Sequence, residues 1–219
     1  MKKVSESTVG RLSLYLRLLK EAEEQGILTV SSEELARRSG TTAAQVRKDL
    51  SSFGSFGKRG LGYSVSDLIA ELRSILGLER TWRVALVGAG RIGAALFGYQ
   101  DFRRQGFHIR AVFDSDPHKI GQQWDELVVR SDAEIEKVVR EEEIDIAIIA
   151  VPESAAQRVV DRVVQAGVRG ILNFAPVKLH VPPGVALKNV NMAMEMEGLS
   201  YALSNEGRSR RQNSTKEGE

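Results

Sequence analysis

The chain has no cysteine among its 219 residues, which excludes a disulfide framework, a thiol nucleophile and any thiolate-held metal. Histidine is almost as scarce. His108, His118 and His180 are scattered without ligand spacing, so no metal centre is expected. A long apolar run is missing too, because even the basic start MKKVSESTVGRLSLYLRLLKEAEEQG is interrupted by charge, and the expectation is a cytoplasmic protein with no membrane contact. Net charge is also lacking, since 31 basic and 29 acidic residues leave a formal +2. Any attraction to nucleic acid must therefore come from local clustering. What is present is apolar content of 42 %, sufficient for one large core or two small ones.

The apolar period changes along the chain. Up to about residue 78 it is helical: Val9, Leu12, Leu16 and Leu19 mark one stripe before Gly26, SSEELARRSG restarts after Ser31 or Ser32, and TTAAQVRKDLSS begins again at Thr41 or Thr42. A fourth helix, SDLIAELRSIL, carries Leu68, Leu72, Ile75 and Leu76, which can pack on either half. After residue 82 the runs WRVALV, IRAVF and IDIAIIAV are short and β-branched and alternate with helical stretches, as in a parallel sheet built from βαβ units. The expected organisation is a helical domain over 1–79 and an α/β domain over 80–190. A helix follows over 191–205, and the polar segment 206–219 reads as a disordered tail.

Two stretches suggest two different phosphates. In the helix near 42–52, Ala43, Val46, Leu50 and then Phe53 share a face, which directs Gln45, Arg47, Lys48, Ser51 and Ser52 elsewhere. Such side chains suit base edges and phosphates in a major groove. Between residues 37 and 60 the six bases Arg37, Arg38, Arg47, Lys48, Lys58 and Arg59 face the single acid Asp49, a local excess hidden by the neutral whole. The stretch SFGKRGLGY then reads as a tight hairpin with Lys58 and Arg59 at its tip, a wing on a DNA-binding domain. The plainer alternative is an exposed charged helix beside a loose loop. Asp49 would repel phosphate, so its role is read as local, orienting Arg47, Lys48 or a neighbouring helix.

The second stretch is Gly88-Ala89-Gly90-Arg91-Ile92-Gly93, which directly follows the strand RVALV, the context a dinucleotide fingerprint requires. Gly88 serves the tight turn, Gly90 the approach of a pyrophosphate and Gly93 the packing of helix on strand. Asp114 lies 21 residues beyond Gly93, where a carboxylate accepts from a ribose hydroxyl and disfavours a 2′-phosphate, pointing to NAD or NADH as the ligand. The nearby Lys119 weakens that preference slightly. A Rossmann-like domain that binds another nucleotide, or none, is the alternative. No catalytic residue is assigned: His180, Lys178 and Tyr99 have no visible partner that would poise them for proton transfer.

Taken together, QVRKDLSSFGSFGKRGLGY, GAGRIGAALFGYQDF, FDSDPHKIG and ILNFAPVKLHVPPGVALKNVNMAMEMEGLSYAL are similar to the Rex family of redox-sensing transcriptional repressors, over about residues 4–205. The resemblance implies a winged-helix domain followed by a Rossmann domain, in a homodimer that exchanges its C-terminal helix. It also implies binding to operator DNA on an inverted repeat, with release when NADH binds. It implies that Val151, Pro152, Asn173, Phe174, Ala175 and Pro176 line the nicotinamide side and that Tyr99 takes part in the redox response. The spacing of Met192, Met196, Leu199 and Leu203 independently makes an apolar stripe at helical period; a helix packed on its own domain is the alternative. One departure is Asn191, where the family commonly has aspartate. If the response uses a charged contact from that carboxylate to Tyr99 or Arg17, an amide weakens it. Two rivals remain: an NAD-dependent oxidoreductase whose N-terminal helices only dimerise, and a repressor that senses coenzyme A or another nucleotide.

Overall fold

In the computed structural model, residues 4–54, 56–57 and 61–216 are described, with side chains as far as Asn205. The chain divides into two compact units, Met1–Thr81 and Trp82–Glu219, so the boundary falls just beyond the expected residue 79.

The first unit is built from α1 (Glu6–Glu24), β1 (Thr29–Val30), α2 (Ser32–Ser39), α3 (Ala43–Ser51), β2 (Tyr63–Ser64) and α4 (Val65–Ile75). Each helix starts on a hydroxyl that accepts a backbone N–H from its first turn, namely Ser5, Ser31, Thr42 and Ser64. This decides between Ser31 and Ser32, and between Thr41 and Thr42, and satisfies donors that a helix start leaves open. Gly40 then ends α2 in the left-handed region at φ 67°. Leu12, Leu16 and Leu19 of α1 are buried as the stripe predicts, but Val9 is 43 % exposed and Tyr15, Leu18 and Ala22 are buried instead. The stripe begins one turn later than expected because the helix meets its neighbours only there. Leu68, Ile69 and Leu72 of α4 join the same core, so α4 belongs to this unit. The strands β1 and β2 pair antiparallel. With the helices they give the winged-helix arrangement.

At the end of the expected hairpin SFGKRGLGY, Tyr63–Ser64 pairs with Thr29–Val30. Lys58 and Arg59 lie outside the described residues. Gly57, at φ 81°, lies close to Gly62: a Cβ on Gly57 would stand 2.6 Å from the Gly62 carbonyl oxygen.

The second unit contains β3 (Trp82–Val87), α5 (Arg91–Phe97), α6 (Gln100–Arg104), β4 (Phe107–Asp114), β5 (Gln123–Trp124), β6 (Leu127–Ser131), α7 (Ile135–Glu141), β7 (Ile146–Ile149), α8 (Glu153–Ala166), β8 (Gly170–Asn173), β9 (Ala186–Asn189) and α9 (Met192–Lys216). The sheet order is β5-β6-β4-β3-β7-β8-β9, parallel except for the edge pair β5 and β6. Strand order reverses at β3, so this is a doubly wound Rossmann sheet with its crevice beyond the carboxyl ends of β3, β4 and β7. One face is covered by Ile135, Val138 and Val139 of α7 and Val159, Val160 and Val163 of α8. On the other face Leu96, Phe97 and Phe102 from α5 and α6 pack on Val84, Leu86 and Val112.

The C-terminal segment departs from expectation. The helix that was expected to end near 205 continues to Lys216. The segment holds no proline, and its Arg, Gln, Glu and Lys lose little freedom in a helix.

Candidate functional site

Helix α3 is anchored by its inner face, where Val46 and Leu50 are 0 % and 2 % exposed. The side chains predicted to face outward do so to different degrees. Lys48, Arg47, Ser51 and Ser52 are exposed and Gln45 is partly so. Both serine hydroxyls donate back to the Lys48 carbonyl at 3.0 Å. Arg47 Nη1 donates to Ser32 Oγ at 2.7 Å and to Glu33 Oε1 at 3.1 Å. Arg47 is thus tied to the first turn of α2 and keeps its remaining N–H groups for an outside acceptor, whereas the sequence presents it as free.

The lone acid is the residue that reasoning from the sequence left undecided. Asp49 is buried and faces α1, not phosphate: Arg11 Nε donates to Oδ2 at 2.6 Å, Arg11 Nη2 to Oδ1 at 2.7 Å, and Tyr15 Oη to Oδ2 at 3.1 Å. Of the roles considered, orienting a neighbouring helix is the one observed. Burial together with the Asp49 contact pushes the Tyr15 phenol up to about 12, so it stays a donor at neutral pH. Arg11 and Tyr15 were not foreseen, although an acid alone among bases was the signal that a buried partner exists.

The glycine loop leaves β3 at Val87. Gly88 has φ 107°, and a Cβ there would lie 2.3 Å from the Ala150 carbonyl oxygen; only glycine makes that turn. A Cβ on Gly93 would lie 1.9 Å from the Gly88 oxygen, so helix and strand touch through it. Gly90 differs: nothing lies within 4 Å of its absent Cβ. The space beside it is a cleft of about 690 Å³ walled by Gly88, Gly90, Arg91, Ile92, Asp114, Val151 and Pro152. Seven of the predicted residues are therefore brought together. Lys119, Asp132, Ala155 and Arg158 also line the cleft. Of these, Asp132, Ala155 and Arg158 carried no linear signal, because they arrive from just after β6 and from α8 by topology.

Asp114, at the end of β4, is 8 % exposed. Its Oδ2 accepts from the Ala89 N–H at 2.7 Å and from Lys119 Nζ at 3.0 Å, and its Oδ1 from the Asp116 N–H at 2.8 Å. Burial pushes the carboxyl up, but the bonds from Asp116, Lys119 and Ala89 outweigh it and hold the group below the ordinary carboxylate value. A carboxylate has about four acceptor positions. With three taken, one remains for a hydroxyl from the cleft. The fit to a dinucleotide is good: open space at Gly90 for the pyrophosphate and a charged acceptor for a ribose.

The residues assigned to the nicotinamide side divide. Val151 and Pro152 line the cleft, whereas Asn173 is 1 % exposed and its amide is used internally. Its Nδ2 donates to the Ala175 and Val177 carbonyls and to Asn189 Oδ1, and its Oδ1 accepts from the Ala175 N–H. It shapes the loop of Phe174, Ala175 and Pro176; Ala175 is buried and Phe174 packs on the α5 and α6 face. Of the switch residues, Arg17 is exposed and pairs with Glu21 at 3.6 Å. Tyr99 is 53 % exposed and precedes α6. Asn191 Oδ1 accepts from the Ala193 and Met194 N–H groups at 3.0 and 3.3 Å, capping α9. The stripe of Met192, Met196, Leu199 and Leu203 is exposed along that helix.

Comparison with known proteins agrees with this geometry. Residues 3–51 match a family described as the N-terminus of a putative DNA-binding protein, and residues 79–177 match the CoA binding domain family. The redox-sensing transcriptional repressor Rex of Carboxydothermus hydrogenoformans is 48 % identical over 92 % of this chain and 97 % of its own. That of Roseiflexus sp. is 45 % identical over 98 % and 97 %. Among solved structures, RSP, a Rex-family repressor, superposes with a TM-score of 0.88 in complex with NADH, at 34 % identity over 96 % of this chain and 99 % of that one. Its complex with NAD+ and operator DNA gives 0.90, at 36 % identity over 98 % and 99 %. With near-complete coverage at such identity, the chain belongs to the Rex family of redox-sensing transcriptional repressors.

Proposed function

We propose that this protein binds operator DNA through α3 and its wing as a homodimer, and releases it when NADH occupies the cleft beside Gly90. The observation that carries the reading is the pairing, in one chain, of an exposed basic helix with a glycine-walled cleft ending at an ionised Asp114. RSP, with which the chain shares its fold nearly end to end, has been crystallised with NADH, and separately with NAD+ and operator DNA. Gly88, Gly90 and Asp114 would hold the dinucleotide, and Val151 and Pro152 would face its nicotinamide end. The dinucleotide supplies a redox-dependent charge on its ring, and the protein needs only to bind its two forms unequally. In this reading it is a signal and not a reagent, and the protein turns nothing over.

Two uncovered apolar surfaces support the dimer. One is the stripe of α9, with Leu199 59 % and Leu203 70 % exposed in the single chain. The other is a groove of about 380 Å³ on the sheet face, walled by Phe102, Ile109, Ile146, Ile148 and Leu172. Surfaces of this kind mark contacts with another chain. No described helix is long and apolar enough to cross a membrane, and a repressor meets its operator in the cytoplasm.

Coupling between the two sites is reciprocal, so operator DNA must weaken NADH binding by the factor that NADH weakens DNA binding. A swing from 1:99 to 99:1 needs about 5.5 kcal/mol of preference for one arrangement. Titrating a labelled inverted-repeat duplex with the protein, alone and with NADH or NAD, tests the reading. Release by NADH and not by NAD is expected; equal weakening by both, or by neither, would overturn it.

A further inference from the structure

Gln45 stands in the first turn of α3, where the N-terminal residues of a recognition helix meet base edges in a major groove. A free glutamine has no fixed polarity there. Its amide can turn over, offering oxygen to the amino groups of adenine and cytosine, or nitrogen to the O6 and N7 of guanine and the O4 of thymine.

Here the amide is held. Gln45 Nε2 donates to Asp49 Oδ1 at 2.8 Å, and Asp49 is 2 % exposed. The carboxylate already takes two bonds from Arg11 and one from Tyr15; Gln45 fills its fourth acceptor position. An ionised carboxylate only accepts, so the nitrogen must face it and the oxygen cannot. Turning the amide over would set two acceptors against each other and leave a buried oxygen one partner short, a costly arrangement. Burial would raise the Asp49 pKa, yet the hydrogen bonds from Arg11, Gln45 and Tyr15 keep it below the ordinary value. The carboxylate therefore stays an acceptor at neutral pH.

We propose that Asp49 sets the polarity of Gln45: with one Nε2 hydrogen given to Asp49, the oxygen and the second hydrogen remain for DNA, so Gln45 selects a base whose exocyclic amino group meets that oxygen, adenine (whose N7 also accepts the hydrogen) or cytosine, over guanine and thymine, which offer the oxygen no donor. The inference rests on the DNA-binding reading of α3 and adds to it a base-selecting residue, Gln45, and a positioning residue, Asp49. Through α1, the choice of base depends on two side chains, Arg11 and Tyr15, that need not touch DNA.

Selection from a pool of randomised inverted-repeat duplexes tests this with the full chain. The unmodified protein should show one symmetric position favouring adenine or cytosine by about tenfold, the scale of a good base-edge contact. Gln45→Leu should even out that position and leave the others. Asp49→Asn, whose amide can either accept or donate, should admit guanine or thymine at the same position, a change that a general loss of helix order would not produce. If Asp49→Asn fails to fold, Gln45→Leu, at a partly exposed site, decides alone. A Gln45-dependent position that favours guanine or thymine, or a Gln45→Leu profile unchanged at every position, overturns the inference while leaving DNA binding intact. Enrichment of no duplex by the unmodified protein overturns the DNA reading and this inference together.

Discussion

Lys119 Nζ stands 3.0 Å from Asp114 Oδ2, so the carboxylate placed to receive a ribose is partly neutralised by a residue five positions on. Asp114 still holds the glycine loop through the Ala89 N–H and retains one open acceptor position. Asp114→Ala is expected to weaken NADH binding about tenfold or more, the scale of a hydrogen bond to a charged group. Fluorescence titration of NADH measures it, and unchanged affinity would mean the cleft is misassigned. Lys119→Met leaves the carboxylate uncompensated, so NADPH should fall further behind NADH than it does in the unmodified protein.

The three glycines of the loop should separate by experiment. Gly88→Ala sets a Cβ against the Ala150 carbonyl at a positive φ, and Gly93→Ala sets one against the Gly88 oxygen. Both should lower the melting temperature markedly, since backbone on each side has no room to yield. Gly90→Ala meets nothing within 4 Å. Its melting temperature should stay near that of the unmodified protein while NADH affinity drops, because the new methyl group enters the cleft. Thermal melts paired with NADH titrations distinguish fold from site.

How far such roles could be read from sequence depends on whether the physics was local. Gly88, Gly90, Gly93 and Asp114 were legible because strand, turn and helix follow one another in the chain, and the βαβ alternation carried the parallel sheet with them. The caps Ser31 and Thr42 were each one of the two residues expected. Arg11 and Tyr15 were not legible: they reach Asp49 across 38 and 34 residues, and on α1 they read as surface and core. The internal bonds of Asn173 to Ala175, Val177 and Asn189 were not legible either, because they exist only after β8 and β9 pair.

The Arg11–Asp49 pair is expected to carry much of the order of the first unit. Arg11→Met leaves a buried carboxylate held by Tyr15 and Gln45 but without its charged partner, and loss of one member of such a pair costs about 3 kcal/mol or more. Urea unfolding measures this. Because the Asp49 pKa lies below its ordinary value, its stabilisation is present above the unfolded value of 3.8 and disappears as pH falls through the folded one. The variant should therefore lose less than the unmodified protein on acidification.

A second acid-sensitive contact lies in the Rossmann unit. Arg162 holds Glu136 through two bonds, at 2.5 and 2.7 Å, and lowers its pKa from 4.5 to about 2. The folded value is depressed, so the pair stabilises fully above pH 4.5 and its contribution vanishes as pH drops towards 2. Both side chains keep some solvent contact, and solvent screening limits the contribution to about 1 kcal/mol. Arg162→Met should lose that amount at pH 7 and little at pH 2, as followed by unfolding of the second unit.

Asn191 allows the switch to be adjusted without disturbing the fold. Its Oδ1 caps α9 through the Ala193 and Met194 N–H groups, and aspartate is an equally good cap that also carries negative charge to a helix N-terminus. Asn191→Asp should therefore preserve α9 and its melting behaviour while adding the carboxylate common in the family. A charged acceptor bonds a phenol or guanidinium about twice as strongly as a neutral one, which favours whichever arrangement brings Tyr99 or Arg17 to it. If that arrangement belongs to the redox response, the ratio of operator affinities without and with NADH should change by several-fold in the variant. Duplex titrations at matched salt measure the ratio, since phosphate contacts make every such affinity salt-dependent. An unchanged ratio would place the redox response elsewhere than at residue 191.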